Sequence, residues 1–397
     1  MRSLSKLMLL AVVLVLTACK ASLGQPLQWY KGNLHTHSYW SDGDEFPEMI
    51  MDWYKSKGYQ FLALSDHNIL AKDEKWITVA KSKMYEDDFA KYLSKYGEKW
   101  VVHKNDTGRI QVKLKTYSEY KPLFEDKNFL IIQSEEITDR YGDKMIHMNA
   151  TNIQQLIVPQ GGQSVTDVMQ RNIDQVIKQR AESGTPMIPH INHPNFFFSV
   201  STQDIIDLHG ERFFEVYNGH PLVNNYGDSL HPGTEQMWDN INIAYLKKNQ
   251  PLLYGLATDD SHNYHQFGSA YSNAGRGWIM VRSSELQANA LITALEQGDF
   301  YASTGVVLDH YSVVNNAIHI KVKSEPGVQY TIEFIGLKTG QQKTQLISDV
   351  RGTEATFQLT KGIAFVRARV TSDKQKPNPF REGDVEMAWT QPISYRK

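Results

Sequence analysis

The chain carries His35-Thr36-His37 and, shortly after it, Ser41-Asp42-Gly43 and Ser65-Asp66-His67-Asn68. Two imidazoles one residue apart, on an extended segment that ends in a turn, both reach past the end of the strand. There the backbone no longer obstructs a bound ion. A third imidazole, His67, follows the next apolar run. The spacing therefore predicts a metal site at the ends of neighbouring strands.

Polar residues also follow later apolar runs that are typical of buried strands. They are Glu135 and Glu136 after 129–132, His147 after 145–146, His190 and His193 after 186–188, and Asp259, Asp260 and His262 after 252–257. Strands that repeatedly end in His, Asp or Glu are typical of a barrel whose carboxyl-end rim carries one site. This repetition predicts an α/β barrel with a single polar centre.

Helical segments alternate with these strands, and the clearest is 166–183, whose apolar residues recur at helical spacing. Several α/β units in succession favour a barrel over separate domains. After residue 305 the pattern changes to alternating strands, at 317–323, 329–334, 355–359 and 364–370. We therefore expect a barrel over 31–305 with a rim insertion at 69–126, and a small β-sandwich accessory domain over 306–397.

In this order the motifs resemble those of the polymerase-and-histidinol-phosphatase (PHP) metallohydrolase family. More narrowly, they resemble its secreted branch, which includes carbamate- and phosphodiester-cleaving metalloenzymes. The resemblance runs from about Lys31 to about Gly305. It implies a distorted (β/α)7 barrel of the PHP type with two or three divalent metal ions at the carboxyl ends of its strands. The metal ligands that it implies are His35, His37, Asp42, His67, Glu136, His147, His193, Asp260 and His262.

Two of the implied ligands compete with a neighbour. Glu136 is preferred to Glu135 because the glutamate of the family directly precedes an Ile-Thr pair. Asp260 is preferred to Asp259 because the aspartate of the family stands two residues before a histidine. The neighbour in each pair would then point the other way or support the ligands from behind.

Two histidines have roles that the sequence leaves open. His190 lies three residues before His193, and either can be the ligand, although the Asn-His-Pro context favours His193. His220 follows the predicted strand 213–217 beside Asn218, where it either supports the ligands or contacts the substrate. The candidates for general acid are His220 and a metal-bound water.

Cationic side chains are candidates for binding a phosphate group. Arg276 follows the 259–262 motif by a short distance and is the first candidate for a bidentate contact, with Arg140 and Lys144 behind it. The alternative for Arg276 is a surface arginine paired with a carboxylate. Asn68 and Asn192 adjoin ligand motifs and are candidates for orienting ligands or substrate.

The chemistry expected of such a centre is hydrolysis. Divalent ions bridged by a carboxylate and a water lower the pKa of that water from about 15.7 towards about 7. A serine or cysteine nucleophile is then not required, and the chain has no Gly-x-Ser-x-Gly motif. Mixed imidazole and carboxylate ligands suit zinc, manganese or iron. The sequence predicts a metal-dependent hydrolase, foremost a phosphoesterase acting on a small phosphodiester or phosphomonoester. The alternatives are a carboxylic ester, amide or carbamate hydrolase with the same centre, and a non-catalytic substrate-binding envelope lipoprotein.

The first residues have the pattern of a bacterial lipoprotein signal peptide over 1–18. Arg2 and Lys6 are basic, 7–16 is apolar, and Leu16-Thr17-Ala18-Cys19 resembles a lipobox. Cys19 would become the lipidated first residue, with 19–30 as a tether. The alternative is an ordinary secretory signal cut near Ala18 or Ala21.

These features predict a protein of the bacterial cell envelope, lipid-anchored on the periplasmic or surface face of the outer membrane. Since Cys19 is the single cysteine, no intramolecular disulfide is possible. The formal net charge is −2, without a basic patch of the kind that nucleic-acid binding needs. The expected partner is a small phosphate ester, and the sequence indicates no protein partner.

Overall fold

The computed structural model describes residues 26–395. The predicted signal peptide 1–18, Cys19 and the predicted tether as far as residue 25 lie outside the described residues. The first part of the described chain contains β1 Gln28–Asn33, α1 Pro47–Ser56, β2 Phe61–Leu64, β3 Trp76–Thr78, α2 Lys83–Tyr96, β4 His103–Asp106, β5 Arg109–Lys113, α3 Tyr117–Phe124, β6 Leu130–Tyr141, β7 Lys144–Thr151, α4 Val165–Ser183, β8 Ile188–Ile191, α5 Thr202–Ile206, β9 Phe213–Asn218, α6 Thr234–Lys247, β10 Tyr254–Thr258, β11 Trp278–Ser283, α7 Ala288–Gln297 and β12 Phe300–Ser303.

The remainder of the described chain adds strands only. They are β13 Leu308–Val314, β14 Ala317–Val322, β15 Tyr330–Lys338, β16 Gln345–Arg351, β17 Glu354–Gln358, β18 Ile363–Gln375, β19 Val385–Thr390 and β20 Ile393–Ser394. Among the described residues, no helix is long and apolar enough to span a bilayer.

Helix α4 shows how local sequence sets the element bounds. At its start the Ser164 hydroxyl accepts a hydrogen bond from the Asp167 amide, which satisfies one of the free donors of the first turn. At its end Gly184 adopts a left-handed conformation with φ 68°, which favours glycine. One face, with Val168 and Ile173, is buried against the sheet. The helix predicted over 166–183 is therefore confirmed to within a residue.

The fold is mixed α/β, as predicted, and is organised around one large sheet. Its strand order is β10-β9-β8-β7-β6-β2-β1-β11-β12-β19-β18-β15-β16, with β20 paired to β18. The pairs β1–β2, β2–β6, β8–β9 and β9–β10 are parallel, whereas β7 runs antiparallel to both β6 and β8. The carboxyl ends of the parallel strands therefore share one edge of the sheet.

His147 differs from the sequence-based expectation. It was expected at the end of a strand, but β7 continues past it to Thr151, so that expectation is wrong. Because β7 is antiparallel to β6, its first half lies beside the carboxyl-terminal half of β6, and His147 pairs with Thr138. The antiparallel direction thus brings His147 to the same edge of the sheet as the other histidines.

The sheet curls until segments from its first and last parallel strands meet. Just beyond β10 and β1, the Asp260 amide donates to the His35 carbonyl at 3.0 Å, and the His37 amide donates to the Ser261 carbonyl at 3.0 Å. Thr36 and Ser261 form a parallel bridge. Residues at both ends of this curled sheet therefore face the same space.

Two smaller sheets flank the large one. The sheet β13-β14-β17 shares a hydrophobic cluster with β15, β18 and β19, to which Ile318, Ile332 and Val370 contribute. The sheet β3-β5-β4 lies within 69–126, where Val112 and Phe89 pack against Trp40. The segment 69–126 therefore packs against the loop that follows β1.

Candidate metal centre

Two buried carboxylates form the middle of the centre. Glu136 Oε2 lies 3.3 Å from Nε2 of His35 and 3.2 Å from Nε2 of His37. Asp260 Oδ1 lies 3.2 Å from the same two nitrogens. Asp260 has a φ of 49°, a backbone conformation that costs energy in a residue with a side chain and that recurs at functional sites. Both histidines are fully buried, and so are Glu136 and, to within 4%, Asp260.

The remaining predicted ligands surround these two carboxylates. Glu136 lies 3.0 Å from His67 Nδ1 and, through its other oxygen, 3.1 Å from His147 Nδ1 and 3.3 Å from His193 Nε2. A second carboxylate-centred group, nearer to solvent, contains Asp42, whose Oδ1 lies 3.3 Å from His262 Nε2 and 3.5 Å from His67 Nε2.

The nine residues that the resemblance implied therefore lie in one continuous cluster. Eight of the nine fall into overlapping groups that offer ligand atoms close enough for one ion each: His35, His37, Glu136 and Asp260; His37, Asp42, His67 and His262; and His67, Glu136 and His147. The ninth, His193, lies 3.3 Å from Glu136 Oε1. Their role as metal ligands stays a prediction, and their side chains lie close enough together for that role.

In each of the two competing pairs, the structure distinguishes the residue that faces the cluster from its neighbour. Glu135 points to the opposite face of β6, where its carboxylate accepts a hydrogen bond from the Ile157 amide at 2.6 Å. Asp259 accepts hydrogen bonds from the amides of Arg276 and Gly277, at 2.6 Å and 2.7 Å. Both carboxylates are therefore engaged away from the cluster, and Glu136 and Asp260 face into it.

Glu215 belongs to the site, although the sequence motifs did not mark it. It lies within β9, is fully buried, and accepts a hydrogen bond from His35 Nδ1 at 2.7 Å and from the His193 amide at 2.8 Å. His190 lies behind it, with Nε2 3.5 Å from Glu215 Oε1, whereas His193 faces Glu136. A charged residue inside an otherwise apolar strand is the sequence signal that could have identified Glu215.

Asparagine side chains hold the carboxylates in place. Asn192 donates to Glu136 Oε1 at 2.7 Å, and Asn218 donates to Asp260 Oδ2 at 3.1 Å and to Glu215 Oε2 at 2.8 Å. Asn192 thus lies beside the predicted ligand Glu136, where it can orient that ligand, which is one of the two roles predicted for it. The side-chain amide nitrogen of Asn68 instead donates to the Thr138 carbonyl, and its amide oxygen accepts from the Thr138 backbone amide.

The electrostatics of the cluster follow from charges in a water-excluded space. Burial alone raises the pKa of Glu136, but the imidazoles of His67, His35 and His147 hold it well below its usual range. Burial alone lowers the pKa of His35, but the charges of Asp260, Glu136 and Glu215 raise it well above its usual value. The carboxylates are therefore ionised at neutral pH, in the form that binds a cation.

Several ligand atoms have no hydrogen-bond partner among the described residues. They are His35 Nε2, His37 Nε2, His147 Nε2 and Glu136 Oε2. Since buried polar groups in proteins are almost always hydrogen-bonded, His35 Nε2 and His37 Nε2, at 3.3 Å and 3.2 Å from Glu136 Oε2, call for a ligand that satisfies all three atoms. A set of imidazole nitrogens and carboxylate oxygens fits a divalent transition-metal ion.

Arg276 does not face the cluster, and the geometry does not support it as a phosphate contact. Its guanidinium is buried and donates to the backbone carbonyls of Gly219, Gly268, Tyr271 and Asn378. These contacts engage all three guanidinium nitrogens in holding loops together. The alternative of a surface arginine is wrong, because Arg276 is 2% exposed.

The other cationic candidates lie elsewhere. Arg140 is exposed, and its amide bonds the side chain of Asp139. Lys144 donates to the Phe198 carbonyl at 3.4 Å. Neither contact involves a member of the cluster.

His220 lies at the mouth of the cluster beside an aromatic wall. Its ring centroid is 5.6 Å from that of His262 and 5.7 Å from that of Phe196. Its Nδ1 accepts a hydrogen bond from the Leu222 amide at 3.2 Å, which places the ring proton on Nε2. Burial foremost lowers the pKa of His220 to about 4, so the ring is neutral at pH 7.

No protein-family model matches the chain, and neither does any curated protein. Among solved structures, a two-domain protein containing a predicted PHP-like metal-dependent phosphoesterase from Bacteroides vulgatus ATCC 8482 is 16% identical. The match covers 92% of this chain and 95% of that chain, with a TM-score of 0.40.

Two further solved structures are similar at 12% identity. One is a putative metal-dependent phosphoesterase from Bifidobacterium adolescentis ATCC 15703, for which 59% of this chain and 88% of that chain are covered, with a TM-score of 0.28. The other is an amidohydrolase from Chromobacterium violaceum, solved with bound sulfate and no metal; 68% of this chain and 96% of that chain are covered, with a TM-score of 0.30. The two phosphoesterases bear names that agree with the family the motifs resemble.

Proposed function

We propose that this protein is a metal-dependent hydrolase of the PHP type, and foremost a phosphoesterase acting on a small phosphodiester or phosphomonoester. The observation that carries the proposal is the convergence of His35 Nε2 and His37 Nε2 on Glu136 Oε2, three buried atoms without a hydrogen-bond partner among the described residues. We also propose that the curled strands are a distorted PHP-type barrel and that the strands after residue 305 are a β-sandwich accessory domain.

The residues present would hold two or three divalent ions, with zinc, manganese and iron as candidates. When bound, such ions supply a hydroxide at neutral pH and neutralise charge on the oxygens of the substrate. Glu136 is central because its two oxygens face histidines of more than one group. Asn192 and Asn218 fix the carboxylates, so the ligand positions are set before any ion binds.

His220 is suited to a role beside the leaving group. Its Nδ1 is occupied by the Leu222 amide, so its Nε2–H is the group left to donate a hydrogen bond. The ring is neutral over the physiological range because its pKa is lowered to about 4. A neutral imidazole that donates from Nε2 would stabilise negative charge as it develops on a leaving oxygen.

The substrate panel that tests this proposal contains an aryl phosphomonoester, an aryl phosphodiester and an aryl carboxylic ester with the same leaving group. The metal-loaded protein is expected to cleave a phosphate ester with the highest kcat/KM. Preference for the carboxylic ester would favour the rival hydrolase for esters, amides or carbamates. Bound metal without turnover on any substrate would favour a binding protein.

The lipobox-like segment that ends at Cys19 supports a location in the bacterial cell envelope, anchored by lipid. Lipid labelling in cells of the wild type and of Cys19→Ser tests this proposal. The label is expected on the wild type alone. Equal labelling, or none on the wild type, would contradict it.

A further inference from the structure

A second group of buried ionisable side chains lies outside the predicted centre. It contains Glu45, from the loop between β1 and α1, Asp88, from α2, and His265, from the loop between β10 and β11. His265 Nε2 lies 3.5 Å from Asp88 Oδ2 and 3.8 Å from Glu45 Oε2. The two carboxylates are 3% and 5% exposed. Three segments that are distant in sequence therefore meet at one imidazole.

The side chain of Asp88 gives a second, independent indication that this group of side chains binds a ligand. Its Oδ2 is buried, faces His265, and has no hydrogen-bond partner among the described residues. Asp88 and Glu45 also repel each other: burial and the charge of Asp88 raise the pKa of Glu45 well above its usual value. Leaving a buried carboxylate oxygen unpaired is costly, so a group that satisfies it is expected.

With its carboxylates all ionised, the group would carry more negative charge than one imidazole can neutralise. Within the described part of the chain, His265 is the partner within ion-pair distance of both Glu45 and Asp88. A third carboxylate, Asp44, lies 3.9 Å from the same nitrogen. A divalent cation would balance this charge, whereas a single proton on His265 would leave an excess.

The candidate ligand atoms of Glu45, Asp88 and His265 all lie within 4.8 Å of one another. Besides the two carboxylate oxygens, the backbone carbonyl of Asp44 lies 2.7 Å from His265 Nε2. Ligands at about 2.0–2.2 Å from one ion are about 3–3.6 Å apart from each other. The 3.5 Å between His265 Nε2 and Asp88 Oδ2 matches this spacing, and the 3.8 Å to Glu45 and the 2.7 Å to the Asp44 carbonyl would adjust by about 0.2–0.3 Å on binding. The ring either donates Nε2–H to that carbonyl or, deprotonated at Nε2, joins the carbonyl in binding an ion.

We propose that Glu45, Asp88, His265 and the carbonyl of Asp44 form a further divalent-cation site, separate from the predicted catalytic centre. One imidazole with carboxylate and carbonyl oxygens suits Mn²⁺ or Zn²⁺. The ion would join helix α2 to two rim loops of the catalytic centre. Asp44 already links these loops, since its amide donates to the His262 carbonyl at 2.8 Å and its carboxylate accepts from the Tyr264 amide at 2.8 Å.

The test compares the metal content of the wild type with that of the double variant Glu45→Gln/Asp88→Asn after reconstitution with Mn²⁺ or with Zn²⁺ and removal of loosely bound ions. The Glu45→Gln change keeps a side-chain oxygen that can accept from the Phe46 amide, which lies 2.6 Å from Glu45 Oε1 in the wild type. The double variant is expected to bind one ion fewer per chain. Asp87→Asn, on the exposed face of the same helix and paired with Lys83, is the matched control and is expected to keep the wild-type content.

An unchanged ion count in Glu45→Gln/Asp88→Asn would overturn the proposal and leave a cluster that is neutralised by protons. If that variant does not fold, wild-type crystals grown with Mn²⁺ give the answer through anomalous diffraction. A peak within coordinating distance of His265 is expected, and peaks confined to the centre around His35 would overturn the proposal. Because both measurements count ions and require no turnover, failure of the proposed hydrolase function leaves them informative.

Discussion

Glu215 accepts a hydrogen bond from Nδ1 of His35 at 2.7 Å, and both side chains are fully buried. The other nitrogen of the same ring, Nε2, faces Glu136 at 3.3 Å and Asp260 at 3.2 Å. A carboxylate on the far side of an imidazole fixes its tautomer and orientation and makes it a better metal ligand. Glu215 therefore prepares His35 to bind an ion through Nε2.

The variant Glu215→Gln is expected to lower metal affinity by about 10- to 100-fold, because the amide holds the His35 tautomer less strongly. Competition with a chelator of known affinity measures this. Glu211→Gln is the matched control: Glu211 is also buried, but it bonds the amides of Arg212 and Phe213 instead of a histidine. Equal affinity in the wild type and Glu215→Gln would contradict the role assigned to Glu215.

The adjacent pair Glu135 and Glu136 offers a direct test of which carboxylate belongs to the centre. Glu136→Gln is expected to abolish turnover and reduce the number of bound ions, because it removes the charge that faces His35, His37 and His67. Glu135→Gln is expected to keep both, and metal analysis with activity assays distinguishes them. Loss of metal from Glu135→Gln alone would reverse the assignment.

The raised pKa of Glu135 predicts that the stability of the folded protein depends on pH. Burial foremost raises its pKa to about 8 in the folded protein, from its ordinary value of 4.5. The folded state thus retains a proton that the unfolded chain has released. The contribution of Glu135 to the free energy of unfolding is therefore greatest at low pH. It falls as pH rises from about 4.5 to about 8, by up to about 1.4 kcal/mol for each pH unit. Glu135→Gln is expected to remove this fall in denaturant titrations, and identical profiles for both proteins would contradict it.

Arg276 is expected to matter for stability. Arg276→Met leaves the buried carbonyls of Gly219 and Gly268 without their donor, and is expected to reduce the free energy of unfolding by about 2–4 kcal/mol. Thermal and chemical unfolding measure this loss. A raised KM for phosphate esters at unchanged stability would instead restore the phosphate-binding role.

His220→Ala tests the role proposed beside the leaving group. A fall in kcat by about 10²- to 10³-fold is expected, at unchanged metal content, because a hydrogen-bond donor to the leaving oxygen is lost and no metal ligand is removed. His209→Ala, on an exposed loop, is the control and is expected to behave as the wild type. Unchanged kcat in His220→Ala, or loss of metal from it, would contradict the proposed role.

The sequence predicted the mixed α/β class and the set of side chains that the structure brings together around Glu136 and Asp260. Motifs at strand ends carry this information because neighbouring strand ends share one edge of a sheet. The direction of β7 was not predictable, since an apolar run before His147 has the same pattern in a parallel and an antiparallel strand.

Two side chains show what local patterns omit. Glu215 lies in the middle of a strand and reaches His35 only through the curl of the sheet, a contact across 180 positions of sequence. Arg276 follows the 259–262 motif closely in sequence. Its guanidinium nevertheless donates to backbone carbonyls of other loops, including that of Asn378. In both cases the partner is fixed by tertiary structure, which short motifs do not encode.

The most direct test of the metal centre measures metal content and hydrolysis of phosphate esters in the wild type and in His35→Ala/His37→Ala, before and after chelation. The wild type is expected to contain bound divalent ions and to lose turnover on chelation, with recovery when the ion is restored. The double variant is expected to contain fewer ions and to show no turnover under any of these conditions. Normal metal content and normal turnover in the double variant would contradict the assignment of the centre.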